Sequence, residues 1–158
     1  MIFLGIDPGT RIAGFSIIQK KDGTISLLDY GALSMSPTLP LQERIGLLYD
    51  FFKEKIKEYQ VTHIALETPF AGKNLQVFLK LGYVRGIVYL LAQQHTLVVC
   101  EYAPQEIKLA VTGSGRADKE QVARIMVRLF PGLIYPKKLD ITDALSVALC
   151  GAWRYKKS

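Results

Sequence analysis

The chain has 158 residues, the length of one ordinary domain, and its 49% hydrophobic and 22% charged residues exclude a disordered polymer. With 20 Lys and Arg against 14 Asp and Glu the net charge is +6, which fits a polyanionic partner such as nucleic acid or an anionic membrane surface. Two cysteines, Cys100 and Cys150, are too few for a disulfide framework or a multi-cysteine metal site, and each sits in an apolar run that predicts a buried free thiol.

Ile2 to Ile6 is continuously apolar and predicts a buried strand, closed by the turn Asp7-Pro8-Gly9-Thr10. Ile12 to Gln19 reads as a second strand, and Lys21-Asp22-Gly23 as a hairpin turn into a third over Thr24 to Leu33. Leu41 to Tyr59 carries Leu41, Ile45, Leu48, Phe52, Ile56 and Tyr59 at helical spacing. His63 to Leu66 predicts a short buried strand ending at Glu67. Leu75 to Ala92 is apolar almost all round and predicts a buried helix, and Leu97 to Cys100 a further strand. Helices are expected near Pro104 to Val111, Asp118 to Leu129, and Asp140 to Trp153.

No basic segment precedes the first apolar run, as a secretory leader would require. Leu75 to Ala92 carries Lys80 and Arg85 where a membrane span needs about 18 apolar residues with few or no charges. A soluble, cytoplasmic protein without membrane contact is expected. Three strands, then helix, strand, helix, strand and helices, join an antiparallel meander to crossovers. The expected class is α/β: one domain over 1–153, a mixed five-stranded sheet flanked by helices, with a basic tail over 154–158.

Four carboxylates stand where this architecture gathers them. Asp7 and Glu67 end buried strands, and ligands of open α/β sheets collect at such carboxyl ends. Asp140 and Asp143 are three apart at the start of the last helix and share a face. Each has a plain reading: a turn Asp, a solvated Glu, an N-cap Asp140 with Asp143 in the first turn. Together they repel one another and call for a cation. Oxygen ligands without a Cys/His cluster suit Mg²⁺, with Mn²⁺ a substitute, and two such ions can cleave a phosphodiester.

Thr112-Gly113-Ser114-Gly115-Arg116-Ala117-Asp118-Lys119 is a Gly-rich loop opening a helix, able to receive a phosphate or to serve only as a capped turn. Lys108 and Lys119 are candidates beside the acids. Phe70 follows Glu67 on a loop from which an aromatic can stack on an unpaired base. Phe70, Lys73, Asn74, Lys108, Arg116 and Lys119 are the candidate DNA-contacting residues. Gly82 and Gly86 permit close helix approach, within the fold or between two copies. His63 and His95 are assigned no chemistry, and Trp153 is expected in the core or at an interface.

Leu4-Gly5-Ile6-Asp7-Pro8-Gly9-Thr10 with Gly14 resembles the opening of the RuvC-type Holliday junction resolvases. The resemblance continues through Ala65-Leu66-Glu67, Phe70 to Asn74, Leu79 to Gly82, Arg85-Gly86, Glu101 to Pro104, Lys108, Gly113, Lys119 and Asp140 to Leu145. It runs in order over about residues 1–153. It implies a ribonuclease H-like fold and a homodimeric, Mg²⁺-dependent endonuclease that nicks opposed strands of a four-way DNA junction, leaving 5′-phosphate and 3′-hydroxyl ends. It further implies catalytic metal ligands at Asp7, Glu67, Asp140 and Asp143, with Asp7 shared between two ions, and lysines near the scissile phosphate at Lys108 and Lys119. Phe70 would stack on a base, and a branch-migration motor would be the partner. Pro69 precedes Phe70 where a more flexible residue is expected, and Asp143 stands where some members carry His. The alternatives are another ribonuclease H-like nuclease acting on RNA, a lobe of an actin-like or sugar-kinase-type ATP-binding protein, and a catalytically silent junction binder.

Overall fold

The computed structural model describes residues 1–69, 75–134 and 139–155. Its sheet has the order β3-β2-β1-β4-β5, with β1 at Ile2–Asp7, β2 at Ile12–Lys21, β3 at Thr24–Ser34, β4 at His63–Glu67 and β5 at Val98–Tyr102. The helices are α1 (Leu41–Tyr59), α2 (Leu75–Gln94), α3 (Pro104–Thr112), α4 (Lys119–Leu129) and α5 (Leu139–Arg154). β1 is central because its side chains are apolar on both faces. It pairs antiparallel with β2, Asp7 opposite Gly14, and parallel with β4, Ile6 beside Leu66. β4 in turn pairs parallel with β5. Asp22 and Gly23 close the β2–β3 hairpin at φ 50° and 81°, the left-handed pair that a two-residue turn matched to strand twist demands.

Period-two alternation divides the core. Leu4, Ile6, Ile64 and Leu66 face α1 and α2, against Leu48, Phe52, Val84 and Val88. Phe3 and Ile18 face Val122, Met126, Leu145 and Leu149 of α4 and α5. α5 lies directly on the sheet, buried without break from Ala144 to Ala152. Glycine permits that approach: a Cβ on Gly5 would stand 2.1 Å from the Ala144 carbonyl oxygen, and one on Gly14 2.1 Å from that of Asp140. Ser16 Oγ donates to the Ala144 carbonyl at 3.1 Å and ties β2 to the same helix.

Two expectations are corrected. α2 is not buried all round: Val84, Arg85, Val88, Leu91 and Ala92 face inward, while Leu79 and Tyr83 on the outer side are 52% and 54% exposed. Among the described residues α2 is also the helix whose length and composition would suit a membrane span. The tail does not begin at Arg154, which closes α5 and pairs with Glu106 at 2.5 Å. Tyr155 packs edge-on against Phe3 and His63, so the chain stays in the fold through it. Residues 156–158 lie outside the described residues. Cys100 and Cys150 are free, the second buried, and Trp153 is exposed.

Candidate active site

The carboxyl ends of β1 and β4 are adjacent because the strands run parallel in register, so Asp7 and Glu67 emerge side by side. α5 supplies the other two acids. Its first turn rests on Gly14, the partner of Asp7 across the β1–β2 ladder, and so carries Asp140 and Asp143 to the same end. Asp140 does not cap the helix, which begins at Leu139. α4 opens at Asp118, whose carboxylate accepts from the Gln121 main-chain amide at 2.7 Å while the Asp118 main-chain amide donates to Gln121 Oε1 at 2.9 Å. This reciprocal cap presents Lys119, whose Nζ donates to Asp143 Oδ2 at 2.7 Å.

The result is a pocket of about 270 Å³ lined by Asp7, Glu67, Lys108, Lys119, Asp143 and Ser146, among others. Asp140 is not a lining residue, but its charge acts on Asp7. Burial, then the charges of Asp143 and Asp140, push the Asp7 carboxyl up to about 7, with the Lys119 ammonium opposing. Burial and Asp143 also raise Glu67, against Lys119 and Lys108. The hydrogen bond to Asp143 raises Lys119 and keeps it a cation. The donor chemistry fits a hard divalent ion: only oxygen ligands, around a carboxyl that burial and like charge hold near neutrality until a cation compensates them. Among the described residues no three Asp, Glu, His or Cys side chains are grouped closely enough to hold an ion; Lys119 supplies the countercharge to Asp143.

In the sequence Arg85 stands out as a charge unsuited to a membrane span and as part of the Arg85-Gly86 likeness, with no role assigned to it. In the fold it is 6% exposed, donates from Nη1 to the Glu67 carbonyl at 2.7 Å and from Nη2 to Tyr89 Oη at 3.1 Å, and pairs with Glu101. Tyr89 Oη also donates to Glu101 at 2.8 Å. A guanidinium thus fixes the main chain of a candidate catalytic residue to α2 and β5. The available signal was a lone Arg inside an apolar helix, which folding buries only with partners.

Of the two readings of the Gly-rich loop, phosphate cradle or capped turn, the hydrogen bonds favour the second. Ser114 N–H donates to Thr112 Oγ1 and Arg116 N–H to Ser114 Oγ, at 3.1 and 3.3 Å. The plain reading of a capped turn holds for this backbone. The Arg116 side chain lines a different cleft, away from the acids. Phe70, Lys73 and Asn74 lie outside the described residues.

A family model for crossover junction endodeoxyribonuclease RuvC matches residues 3–151. A crossover junction endodeoxyribonuclease RuvC from Pelodictyon phaeoclathratiforme is 42% identical over 98% of this chain and 81% of its own length. One from Chlorobaculum parvum is 46% identical over 95% and 80%. Among solved structures, Thermus thermophilus RuvC in complex with a Holliday junction substrate superposes with a TM-score of 0.89 at 29% identity, covering 96% of this chain and 93% of that one. The yeast mitochondrial Holliday junction resolvase Ydc2 shares the fold at a TM-score of 0.68 and 13% identity, over 95% and 77%.

Proposed function

The chain belongs to the RuvC family of crossover junction endodeoxyribonucleases, and we infer that its acidic pocket is where it cuts four-way DNA junctions. The observation that carries this reading is one pocket of a +6 protein joining Asp7, Glu67 and Asp143 to Lys108 and Lys119. Family membership over residues 3–151 sets aside the nucleotide-lobe alternative.

Two Mg²⁺ ions, or Mn²⁺ in their place, held by Asp7, Glu67, Asp140 and Asp143, would supply Lewis-acid activation of the attacking water and of the leaving oxygen. Asp7 gives up the proton that burial lets it keep, since only its ionised form is a ligand. Lys108 from α3 and Lys119 from α4 would set positive charge against the scissile phosphate and the charge that develops on it. Arg85 holds the Glu67 main chain while the substrate enters. Ser146, the hydroxyl in the lining, is committed to the Thr142 carbonyl at 2.6 Å and is buried, which disfavours a covalent serine route and favours direct attack by water. The products would be 5′-phosphate and 3′-hydroxyl ends.

Opposed nicks require two sites, and a homodimer supplies them. The exposed apolar side of α2, with Leu79, Tyr83 and Leu90 outward and Gly82 and Gly86 between them, supports self-association there. A branch-migration motor remains the expected partner, and the cytoplasm, where a bacterial-type chromosome lies, the expected compartment. Cleavage of a synthetic four-way junction against matched duplex, with Mg²⁺, with EDTA and with Asp7→Asn, tests the reading. Symmetric nicks on the junction alone, dependent on Mg²⁺ and Asp7, are expected; Mg²⁺-independent cutting, or full activity in Asp7→Asn, would overturn it.

A further inference from the structure

A second cleft, of about 480 Å³, opens on another flank of α4 from the acidic pocket. Thr112, Ser114, Arg116, Gln121, Arg124 and Arg128 are among its lining residues, and no carboxylate is. Helical spacing sets Arg124 and Arg128 one turn apart on the same side of α4, and Arg116 joins them from the loop before it. Arg124 reaches Glu120 at 3.3 Å, but both side chains are about 70% exposed and such a pair holds weakly. Arg116 and Arg128 form no ion pair among the described residues. Three guanidiniums around one concavity repel one another unless an anion enters, and their planar forks match phosphate oxygens.

We propose that this cleft grips the phosphodiester backbone of a junction arm, independently of sequence, close to the cut. The proposal rests on the junction-cutting reading and extends it to a surface outside the acidic pocket. α4 links the two places: at about 1.5 Å per residue, Arg128 lies roughly 13 Å along the helix from Lys119. Nine residues also turn Arg128 to the opposite side of α4, so the helix width of about 10 Å adds to that rise, and at about 3.4 Å per nucleotide the span is roughly five to seven nucleotides. The cleft is larger than one phosphate needs, so it suits a run of them. Gln121 Oε1 is occupied in the cap of α4 and the Thr112 hydroxyl donates to the main chain, which leaves the three guanidiniums as the main recognition chemistry, suited to phosphate oxygens.

The test is junction affinity by fluorescence anisotropy in EDTA across a salt series, for the wild type and for Arg124→Gln/Arg128→Gln. Both arginines are exposed on α4, and an unchanged melting temperature confirms folding. The double variant should bind about tenfold or more weakly, with its log–log salt slope shallower by about 2, near 0.9 for each phosphate left without its arginine. Lysine at both positions should restore the slope but only part of the affinity. Methylphosphonates roughly five to seven nucleotides from the cut should weaken wild-type binding and leave the double variant unaffected. Unchanged affinity and slope in a folded double variant would overturn the proposal and turn the cleft toward an acidic protein partner. Wild-type protein that fails to cut the junction would instead overturn the reading on which it rests.

Discussion

Replacing Asp7 by Asn should stabilise the metal-free protein at alkaline pH while abolishing cleavage. The Asp7 carboxyl titrates near 7 in the fold against an ordinary 3.8, chiefly through burial and the charges of Asp143 and Asp140. A carboxyl whose folded pKa is raised stabilises the fold only while protonated. Its contribution is whole below the unfolded value and is lost as pH rises through about 7. A shift of about three units corresponds to an upper bound of about 4 kcal/mol, and relaxation of the partly open pocket brings the expectation to roughly 2–4 kcal/mol. For a chain of this size that is roughly 5–12 °C in melting temperature. Calorimetric melts in EDTA should show only part of the difference between wild type and Asp7→Asn at pH 5, because the loss builds up between the unfolded 3.8 and the folded value of about 7, and the full difference at pH 8. Added Mg²⁺ should raise the wild type at pH 8 and leave the variant almost unmoved, because only the wild type regains its compensating charge. A variant no more stable than wild type at pH 8, or one stabilised equally by Mg²⁺, would refute the reasoning, whatever its activity.

Lys119→Met removes a cation that lowers Asp7 and Glu67; cleavage at pH 7 should fall by roughly 10²-fold and recover in part at higher pH, visible in a single-turnover pH profile. Gly14→Ala places a Cβ 2.1 Å from the Asp140 carbonyl oxygen, and should cost about 2 kcal/mol or more by denaturant melt and lower cleavage at temperatures where the variant is still folded. Arg85→Lys keeps a charge for Glu101 but loses the fork that also reaches Glu67 and Tyr89; the Mg²⁺ concentration for half-maximal cleavage should rise several-fold with junction affinity in EDTA unchanged. Leu79→Glu with Tyr83→Glu charges the exposed side of α2; sedimentation should then show a monomer, and the junction should be nicked on one strand at a time.

The parts of the fold legible in sequence were those whose pattern has a single cause. α1 begins and ends at the residues its 3.6-residue period marks, Leu41 and Tyr59. Asp22-Gly23 announces its turn because few other pairs accept two positive φ angles. The acids were legible by position, since strand ends converge in an α/β sheet and an i, i+3 pair shares a helix face. α2 was misread for a physical reason: an all-apolar helix says that every side avoids water, not whether the cover comes from its own domain or from a second copy. Arg85 was passed over because its partners, the Glu67 carbonyl and Glu101, lie on strands far from it in sequence, and nothing in the spacing shows where a guanidinium will reach.

Those two misreadings meet in one element. The inner side of α2 carries Arg85, tied to the main chain of Glu67. Its outer side carries Leu79 and Tyr83, which leave apolar area open. An apolar pocket of about 360 Å³ runs between them, lined by Pro69, Leu79, Tyr83, Arg85 and Tyr89, among others. Were α2 to pair with a second copy, as proposed, it would join that contact to the carboxylate proposed as a metal ligand. Pairing α2 with a second copy would shield the Arg85–Glu101–Tyr89 cluster from water and strengthen each of its hydrogen bonds, since a lower local dielectric favours satisfied polar networks. Glu67 should therefore be held more firmly in the dimer than in the monomer. The doubly charged α2 variant tests this directly: beyond losing paired nicks, it should need more Mg²⁺ for each nick it still makes. An unchanged Mg²⁺ requirement per nick would show that α2 joins the subunits without acting on the site.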